Sequence, residues 1–485
     1  MPSIKEDVPL RESRLWDLQL RYFERLGEDA WGSGSVPAFP TSNTAIATAC
    51  ARVIAAWVRD TGCPAQVVEL GAGHGRFGYR CVRALRRDGV SVRYTFTDVA
   101  QSNIDAIQRH PMLQEYFAQG IMTCARQDAA TLPDLPKGPL VVVANYCFDS
   151  LLTDVFRVKE GRLEEGRPIL SADVPISDDP SIIDELDLEF SFHPIDPIGY
   201  YGDPVLDELL AAYQERMGSG VFCFPIGTLR GLKDLLQRPG PVLLLATDKG
   251  HSHIQDLVGS DTVGFATHGS FSFMVNFDAV TQLFQRHGGR SHCFSTHDGP
   301  LEGGVFIAGQ EDCTQTVWAF REHLAVFSPS DFYALYQTAE SADEMDIDAL
   351  LAMLRLSRFD PQVYTNLYEK ALDEISELRI ENQRQVLAVL DAVWESAFPI
   401  GGQPDVAFAL GRTLHQMNRY QRALDRYTAS LRYTGEHPAT RYNMGLCLYW
   451  QGHDAAARVE LLKALELDPA YGQARDWLVR IDEDD

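Results

Sequence analysis

The stretch Glu69-Leu70-Gly71-Ala72-Gly73-His74-Gly75-Arg76-Phe77-Gly78 has four glycines within eight residues and directly follows an apolar run. Glycine has no Cβ, so the backbone can turn tightly at these positions and come close to a ligand. The run before them, residues 66–70, predicts a buried β-strand, and the residues after them, to about Arg87, predict a helix. The stretch therefore predicts a strand–loop–helix unit whose loop binds a ligand.

Two kinds of ligand-binding loop compete for this glycine pattern. Gly73-x-Gly75-x-x-Gly78 has the spacing found in dinucleotide-binding proteins, but in those proteins the first glycine comes directly after the strand. Here the glycine after the strand is Gly71, and the pattern that starts from it is Gly-x-Gly-x-Gly. Glu69 adds an acid at the strand end. The sequence therefore favours the second pattern over binding of NAD.

Apolar runs alternate with helical segments on both sides of this loop. The run 139–144 is apolar throughout, as expected for a parallel strand that is buried on both faces. We predict further strands at 92–97 and 242–246, last strands at 271–275 and 304–308, and helices at 13–29, 43–60 and 101–109. This alternation predicts an α/β domain with a doubly wound, Rossmann-like sheet.

The C-terminal part of the chain repeats itself with a period of 34 residues. Strand signals stop after residue 316, and small or structure-breaking residues recur in pairs: Pro404 and Pro438, Gly411 and Gly445, Ala423 and Ala457. The pattern resembles the tetratricopeptide repeat, in which small residues lie where paired helices touch. It predicts an all-α domain over 404–485 with a capping helix at 471–481, preceded by a degenerate helix pair at 361–398. Such a domain would bind a protein partner in its groove, or would only pack on the α/β domain.

Composition and charge exclude several function classes. The 485 residues correspond to roughly three domains. Their net charge of −25 argues against nonspecific binding to nucleic acid and against docking on anionic lipid. No apolar run reaches the roughly 20 residues that a bilayer-spanning helix needs. The nine cysteines are scattered without a CxxC, which predicts reduced thiols and a cytoplasmic location. His251-Ser252-His253 has no partner at metal-ligand spacing, so we predict no metal.

The acidic residues are concentrated between Arg167 and Arg216. The 48 residues between these two arginines contain 12 acids and neither lysine nor arginine. They can form a solvated acidic surface, or they can form an electrostatic funnel for a cationic substrate. Both interpretations remain open from the sequence.

The pattern Glu69-x-Gly-x-Gly-x-Gly resembles motif I of class I S-adenosylmethionine-dependent methyltransferases. The cofactor of that class has a cationic amino-acid end, which an acid can orient. The resemblance implies S-adenosyl-L-methionine as the cofactor. It also implies which part of the cofactor each candidate binding residue would contact. Glu69 would hold the amino group, Asp98 the ribose hydroxyls and Asp128 the adenine amino group, with the loop backbone alongside at Gly71, Gly73 and Gly75.

Further segments resemble the MidA-like family, which includes a mitochondrial arginine methyltransferase that assists complex I assembly. They are Thr41-Ser42 before a helix, Asn145-x-x-Phe148-Asp149-x-Leu151, Asp154-Val155-Phe156-Arg157, Asp248-Lys249-Gly250 and Val275-Asn276-Phe277. The resemblance implies that Asn145 and Asp149 face the methyl acceptor. The chain departs from the family pattern at Tyr146, where the family has a glutamate, and at Met274, where it has a histidine.

These features predict a methyltransferase with a helical connector before the repeats. The expected segments are a helical N-terminus (1–60), a methyltransferase domain (61–315) with an acidic insertion at about 158–238, and the connector (316–403). Asn145, Tyr146 and Asp149 are the catalytic candidates. The favoured function is N-methylation of a protein or peptide acceptor, basic in character, recruited by the repeats. The alternatives are a small-molecule O- or N-methyltransferase of a biosynthetic pathway, and a scaffold protein that binds the cofactor without turnover.

Overall fold

The computed structural model describes residues 3–26, 42–132, 135–295, 301–378, 380–401 and 403–484. It divides into two compact units, one formed by Met1–Ser42 with Ile46–Asp331 and the other by Asn43–Ala45 with Phe332–Asp485. Thr41 and the small-residue and proline-rich segment 31–40 lie outside the described residues. The domain boundaries expected near residues 60, 315 and 403 stay predictions.

A mainly parallel sheet forms the centre of the first unit. Its strands run in the order β14-β15-β10-β5-β2-β3-β4, and the short β13 is paired to β10. The five strands from β10 to β4 are parallel, whereas β15 and β14 are antiparallel to their neighbours. The strands are β2 (Ala65–Leu70), β3 (Val92–Asp98), β4 (Met122–Arg126), β5 (Leu140–Asn145), β10 (Val242–His251), β13 (Val275–Asn276), β14 (Arg290–Ser295) and β15 (Leu301–Ala308).

Helices connect these strands, as predicted from the alternating pattern. The central strand β5 is fully buried from Leu140 to Ala144, which explains why its sequence is apolar without alternation. The predicted α/β fold is therefore confirmed. The helices of this unit are α1 (Leu15–Leu26), α2 (Thr44–Thr61), α3 (Arg76–Arg87), α4 (Gln101–Arg109), α5 (Gln114–Ala118), α6 (Pro204–Arg216), α7 (Ile226–Gln237), α8 (Phe277–Arg286) and α9 (Thr314–Phe320).

Short helical turns complete this unit. A π-helical turn follows α9 at Arg321–Ala325. The 3-10 turns are Leu10–Glu12, Pro111–Leu113, Phe148–Ser150, Pro180–Glu185 and Ile254–Asp256. The turn at Phe148–Ser150 directly follows the end of β5 and matters for the site described below.

A second, antiparallel sheet is formed largely by strands of the acidic insertion. Its strands run in the order β1-β7-β6-β9, and β8 pairs with β7. A separate hairpin is formed by β11 and β12. The strands are β1 (Ser3–Lys5), β6 (Asp154–Lys159), β7 (Arg162–Ser171), β8 (Asp187–Pro194), β9 (Gly220–Phe224), β11 (Phe265–His268) and β12 (Ser270–Phe273).

The prediction that residues 271–275 form one of the last strands of the main sheet is wrong. Most of that segment is β12, which pairs with β11 across a turn at Gly269, where φ is +84°. Phe271 and Phe273 pack on Trp16 and Phe265 rather than in the main sheet. The last strands of the main sheet are instead β14 and β15, and β15 contains the predicted run 304–308.

The acidic segment has counter-charges that come from elsewhere in the chain. Asp178 pairs with Arg14, Asp179 with Arg25, Asp203 with Lys233 and Glu208 with Arg286. Asp207 is buried and accepts the backbone N–H groups of Gly199 and Tyr201. Four of the 12 acids therefore have counter-charges, although the acidic segment itself contains neither lysine nor arginine.

The second unit is helical. Gly411 faces Tyr427, and 34 residues later Gly445 faces Leu461, so a Cβ at either glycine would lie within 3 Å of the facing side chain. The repeat thus corresponds to two helix hairpins, α15–α16 and α17–α18, followed by α19. Residues 361–398 form several shorter helices rather than one pair. The helices are α10 (Pro329–Ser341), α11 (Ile347–Leu356), α12 (Pro361–Leu367), α13 (Leu372–Glu377), α14 (Ile380–Glu395), α15 (Val406–Gln416), α16 (Tyr420–Thr434), α17 (Pro438–Tyr449), α18 (Asp454–Leu467) and α19 (Gly472–Asp484), with a 3-10 turn at Tyr368–Ala371.

All nine cysteines lie within the described residues and are free thiols. None of the helices in the described part of the chain combines the length and the hydropathy that a bilayer-crossing segment needs. Among the same residues there is no group of three His, Cys, Asp or Glu side chains that could hold a metal ion.

Candidate active site

A cavity of about 330 Å³ lies in the first unit, where β2, β3, β5 and β10 end. Because these strands are parallel neighbours, their carboxyl ends meet at one edge of the sheet, which is the usual ligand position in open α/β sheets. The volume is in the range of small-molecule pockets. Of the predicted site residues, the cavity is lined by Glu69, Gly71, Asp98, Asp128, Asn145, Tyr146 and Asp149.

The glycine loop turns in the left-handed region of backbone conformation. Gly71, Gly73 and Gly75 have φ values of +64°, +54° and +79°. A Cβ at Gly71 would lie 3.0 Å from the Sγ of Cys147, so this glycine lets the two loops pack together. Gly75 is the N-cap of α3. Gly71 lines the cavity, whereas Gly73 and Gly75 support the turn that presents it.

Glu69 is a buried carboxyl group at the end of β2, with only 4% of its surface exposed. The Tyr94 hydroxyl donates a hydrogen bond of 3.0 Å to its Oε2. Burial raises the pKa of Glu69 to about 8, and the nearby charge of Asp98 raises it further, against the effect of Tyr94. In the free protein Glu69 is therefore mostly protonated at neutral pH, and a cation bound beside it would favour the charged form.

Asp98 and Asp128 follow the next two strands of the sheet. Asp98 is buried, and its two oxygens accept hydrogen bonds from the backbone N–H groups of Gly73 and Ala100, both at 2.9 Å. Burial raises its pKa despite these bonds. Asp128 is exposed at the cavity and accepts the N–H of Ala130 at 2.8 Å. The structure thus brings all three predicted acids to one cavity.

Tyr146 has an unusual backbone conformation directly after β5. Its φ is +53°, in the left-handed region that bulky residues rarely adopt. Its N–H donates to the carbonyl of Thr247 at 2.8 Å, which fixes the turn. Asn145, the last residue of β5, and Tyr146 are both half-buried and line the cavity. Strain of this kind is often found where a side chain must be aimed at a ligand.

Asp149 is paired with a second buried carboxyl group, that of Asp248. Asp248 accepts the backbone N–H groups of Phe148, Asp149 and Lys249 at 2.8 to 3.1 Å. Asp149 is hydrogen-bonded to Asp248 and accepts the Ser150 hydroxyl at 2.9 Å. Burial raises the pKa of both carboxyl groups. The two carboxyl groups are coupled: three N–H donors favour the charged form of Asp248, while Ser150 and the charge of Lys249 favour that of Asp149.

Lys249 and His268 also line the cavity, although the sequence did not predict them as site residues. Lys249 follows Asp248 near the end of β10. In the sequence, only its place in the segment Asp248-Lys249-Gly250 indicated a role for it. The pKa of His268 is lowered by burial and by the charge of Lys249, so its imidazole is neutral at pH 7. Its ring nitrogens lie 3.1 and 3.4 Å from the hydroxyls of Ser270 and Ser272. A hairpin that the sequence did not predict brings His268 to the cavity.

Helix α1 lines the cavity with Trp16, Gln19 and Phe23. At its N-terminal half the Gln19 amide donates to the carbonyl of Phe271 at 2.7 Å. At its C-terminal half the Ser102 hydroxyl lies 3.4 Å from the carbonyl of Phe23. The helix therefore reaches from the β11–β12 hairpin to the first turn of α4.

The lining residues suit the ligand that the glycine motif implied. Glu69 suits a cationic amine, Asp98 lies where hydroxyl groups can donate to it, and Asp128 can accept from an exocyclic amino group. Glu69 and Asp98 are buried acids that have no ion-pair partner among the described residues. This observation favours a ligand that is cationic and rich in hydrogen-bond donors.

Comparisons with known proteins agree with this ligand. Residues 49–193 match a family model described as "Putative S-adenosyl-L-methionine-dependent methyltransferase". The chain has no match among curated proteins.

Solved structures with some similarity include two proteins from Burkholderia thailandensis. One is an uncharacterised protein with 14% identity and a TM-score of 0.43, over 64% of this chain and 89% of that one. The other, described as a "likely methyl transferase" bound to S-adenosyl-homocysteine, has 14% identity and a TM-score of 0.41 over 65% and 98%. Magnesium protoporphyrin IX methyltransferase from Synechocystis has 12% identity and a TM-score of 0.28 over 60% and 97%.

The family match contains the glycine loop and every predicted site residue, and seven of those residues line the cavity. This chain is an S-adenosylmethionine-dependent methyltransferase.

Proposed function

We propose that this methyltransferase acts on a small-molecule acceptor, at oxygen or nitrogen. The observation that supports this best is the state of Asp149, the carboxyl group expected to face the methyl acceptor. It is hydrogen-bonded to Asp248 and Ser150, and the ammonium group of Lys249 is close enough to lower its pKa. This end of the cavity therefore lacks the pair of available carboxylates that would orient an arginine side chain.

The proposed roles follow from where each residue lies. When bound, the cofactor supplies an electrophilic methyl group on a sulfonium. Glu69 holds its amino group, Asp98 its ribose and Asp128 its adenine, while Asn145 and Tyr146 orient the acceptor. Helix α1 excludes water from the cavity through Trp16 and Phe23. For an acceptor that must lose a proton, the neutral imidazole of His268 is the candidate base.

The second candidate function is N-methylation of a protein or peptide recruited by the C-terminal helices. It is favoured by the helix hairpins of the second unit, which leave Trp450, Val459 and Val479 exposed. A tetratricopeptide-type groove and membership of the MidA-like family would both support this candidate. We place either enzyme in the cytoplasm, in line with the free thiols.

Labelled S-adenosylmethionine added to cell lysate with the full-length chain separates the two candidates. We expect the label in the small-molecule fraction, identified by mass spectrometry, and we expect Gly73→Arg to lose it because the side chain would block the loop. Label found only on proteins would favour the second candidate. A chain that gives no more label than Gly73→Arg in any fraction would contradict both.

A further inference from the structure

The cavity end that faces the acceptor contains one cation. The ammonium of Lys249 has no carboxylate within 4 Å among the described residues and no hydrogen-bond partner there. The side chain is half-buried, so water satisfies it only in part. A lysine held in this way is available to a ligand.

The other ionisable groups at this end leave the ammonium without a direct ion pair. The charge of Lys249 lowers the pKa of Asp149 against the effect of burial, but no carboxyl oxygen of the pair lies within 4 Å of the ammonium, and Asp248 is hydrogen-bonded to three backbone N–H groups. His268 is neutral, and burial raises the pKa of Tyr146, so its phenol is neutral too. Asp17 also lines the cavity but lies on the exposed side of α1.

A bound cofactor would supply a positive sulfonium, and an acceptor beside Lys249 would then face two cations. Coulomb attraction in a partly buried site then favours an acceptor that is itself negative. The wall formed by Trp16, which packs 5.1 Å from Phe271 between ring centroids, suits a flat apolar body on that acceptor.

We propose that Lys249 binds an anionic oxygen of the methyl acceptor, so that the substrate is an organic acid, a carboxylate or an acidic phenol, with an apolar body. This inference rests on the proposed small-molecule function and specifies its substrate class. It is opposite to the basic acceptor expected from the acidic segment, four of whose acids form ion pairs with other parts of the chain.

The binding test uses two probes of the same size and opposite charge. Benzoate and benzylamine are titrated calorimetrically into the full-length chain saturated with S-adenosylhomocysteine. We expect benzoate to bind at least about tenfold more tightly, a difference of about 1.4 kcal/mol, because a hydrogen bond to a charged group is stronger than one between neutral groups. Lys249→Met should abolish this preference, Lys249→Arg should keep it, and Lys159→Met, an exposed lysine on β6, should not change it. A benzylamine affinity equal to that of benzoate, or a preference that survives Lys249→Met, would overturn the proposal.

A carboxylate is also present on the cofactor, so the same variants are tested for S-adenosylhomocysteine binding. If Lys249 serves the acceptor, Lys249→Met leaves that affinity within about twofold of the unaltered chain. A loss of about tenfold or more would assign Lys249 to the cofactor and overturn the proposal.

Turnover separates failure of this inference from failure of the proposed function. A metabolite extract is divided by ion exchange into anionic, neutral and cationic fractions, and each is incubated with the chain and labelled S-adenosylmethionine. Label transferred in the anionic fraction supports the inference. Label confined to the neutral or cationic fraction overturns the inference but keeps the small-molecule function. Label in none of the fractions overturns both.

Discussion

Glu69 shows how one buried side chain can make cofactor binding depend on pH. In the free protein its pKa is raised to about 8, chiefly by burial. The neighbouring glycine at position 78 makes that burial feasible, because a Cβ there would lie 2.7 Å from the Glu69 Oε2 and 2.3 Å from the ring of Phe96. The glycines of the motif thus allow the burial of Glu69 as well as the tight turn of the loop.

We predict that cofactor affinity rises with pH through Glu69 and that Glu69→Gln removes this rise. Below pH 8 the free carboxyl group is mostly protonated, whereas the proposed contact with an ammonium requires the charged form. Binding at pH 7 therefore releases a proton, and affinity gains up to about tenfold per pH unit until pH 8. Calorimetry in two buffers of different ionisation enthalpy measures the proton count.

The amino group of the cofactor titrates near the same pH, so the difference between the two proteins is the informative quantity. Glu160→Gln, an exposed glutamate in the turn between β6 and β7, is the matched control and should behave as the unaltered chain. Equal pH profiles for Glu69→Gln and the unaltered chain would contradict the proposed role.

Tyr146 provides a test of backbone strain. Both Tyr146→Ala and Tyr146→Gly remove the ring, but only glycine adopts a φ of +53° without cost. We expect the glycine variant to be more stable than the alanine variant by about 1 kcal/mol in urea unfolding. At Gln108, exposed within α4, the order should reverse by a similar amount, because alanine is the better helix former. An alanine variant at 146 as stable as the glycine variant would show that the turn relaxes.

Helix α1 is the element whose role depends most on distant contacts. Arg14, just before it, pairs with Asp178, and Arg25, in its last turn, pairs with Asp179. Asp184 accepts the N–H of Gly269 at 2.6 Å in the hairpin that α1 also contacts. The acidic segment thus stabilises the position of α1 at the cavity through these ion pairs. Part of the charge of the acidic segment therefore has a structural role.

We predict that the double variant Arg14→Met and Arg25→Met releases the bound cofactor product faster. Both ion pairs are solvent-exposed and each contributes well under 1 kcal/mol, so the dissociation rate of S-adenosylhomocysteine should rise only about two- to fivefold at low salt. The difference should shrink at high salt, where exposed charges are screened. Stopped-flow fluorescence measures the rate.

Arg162→Met is the matched control, since Arg162 is an exposed arginine on β7. It should leave the rate unchanged at every salt concentration. A double variant that also releases the ligand at the original rate would mean that α1 is held by its apolar contacts alone.

The whole molecule consists of two units with separate hydrophobic cores. The cavity lies within the first unit, and the last repeat has its own cluster, which includes Ala457, Leu461 and Leu478. Compact units of this kind unfold as cooperative blocks. Ligand binding and a core defect should therefore act on different unfolding transitions.

We predict that S-adenosylhomocysteine raises one calorimetric transition and that Gly445→Ala lowers another. A ligand at 100 times its Kd stabilises the unit that binds it by about 2.7 kcal/mol. A Cβ at Gly445 would lie 2.8 Å from Leu461, an overpacking that costs about 1–3 kcal/mol. Gly472→Ala, at a helix start with open space around it, is the control and should shift neither. If both perturbations move one shared transition, the units unfold together.

The sequence alone determined the α/β fold and the cofactor end of the site. The sequence predicted Gly71, Glu69 and Asp98 as site residues because a buried parallel strand, its terminal acid and the glycine turn are local patterns. They depend on backbone conformation and on burial along one short segment. The 34-residue period likewise predicted helix hairpins, since small residues are needed wherever two helices touch.

The tertiary structure decided what faces the acceptor. Residues 271–275 looked like a core strand, but burial in a hairpin beside Trp16 leaves the same apolar signature as burial in the main sheet. Lys249 and His268 reach the cavity, and Asp149 is coupled to Asp248, through contacts between segments that are about 100 residues or more apart. Whether a charge is free or paired depends on such neighbours, and no local pattern in the sequence records them.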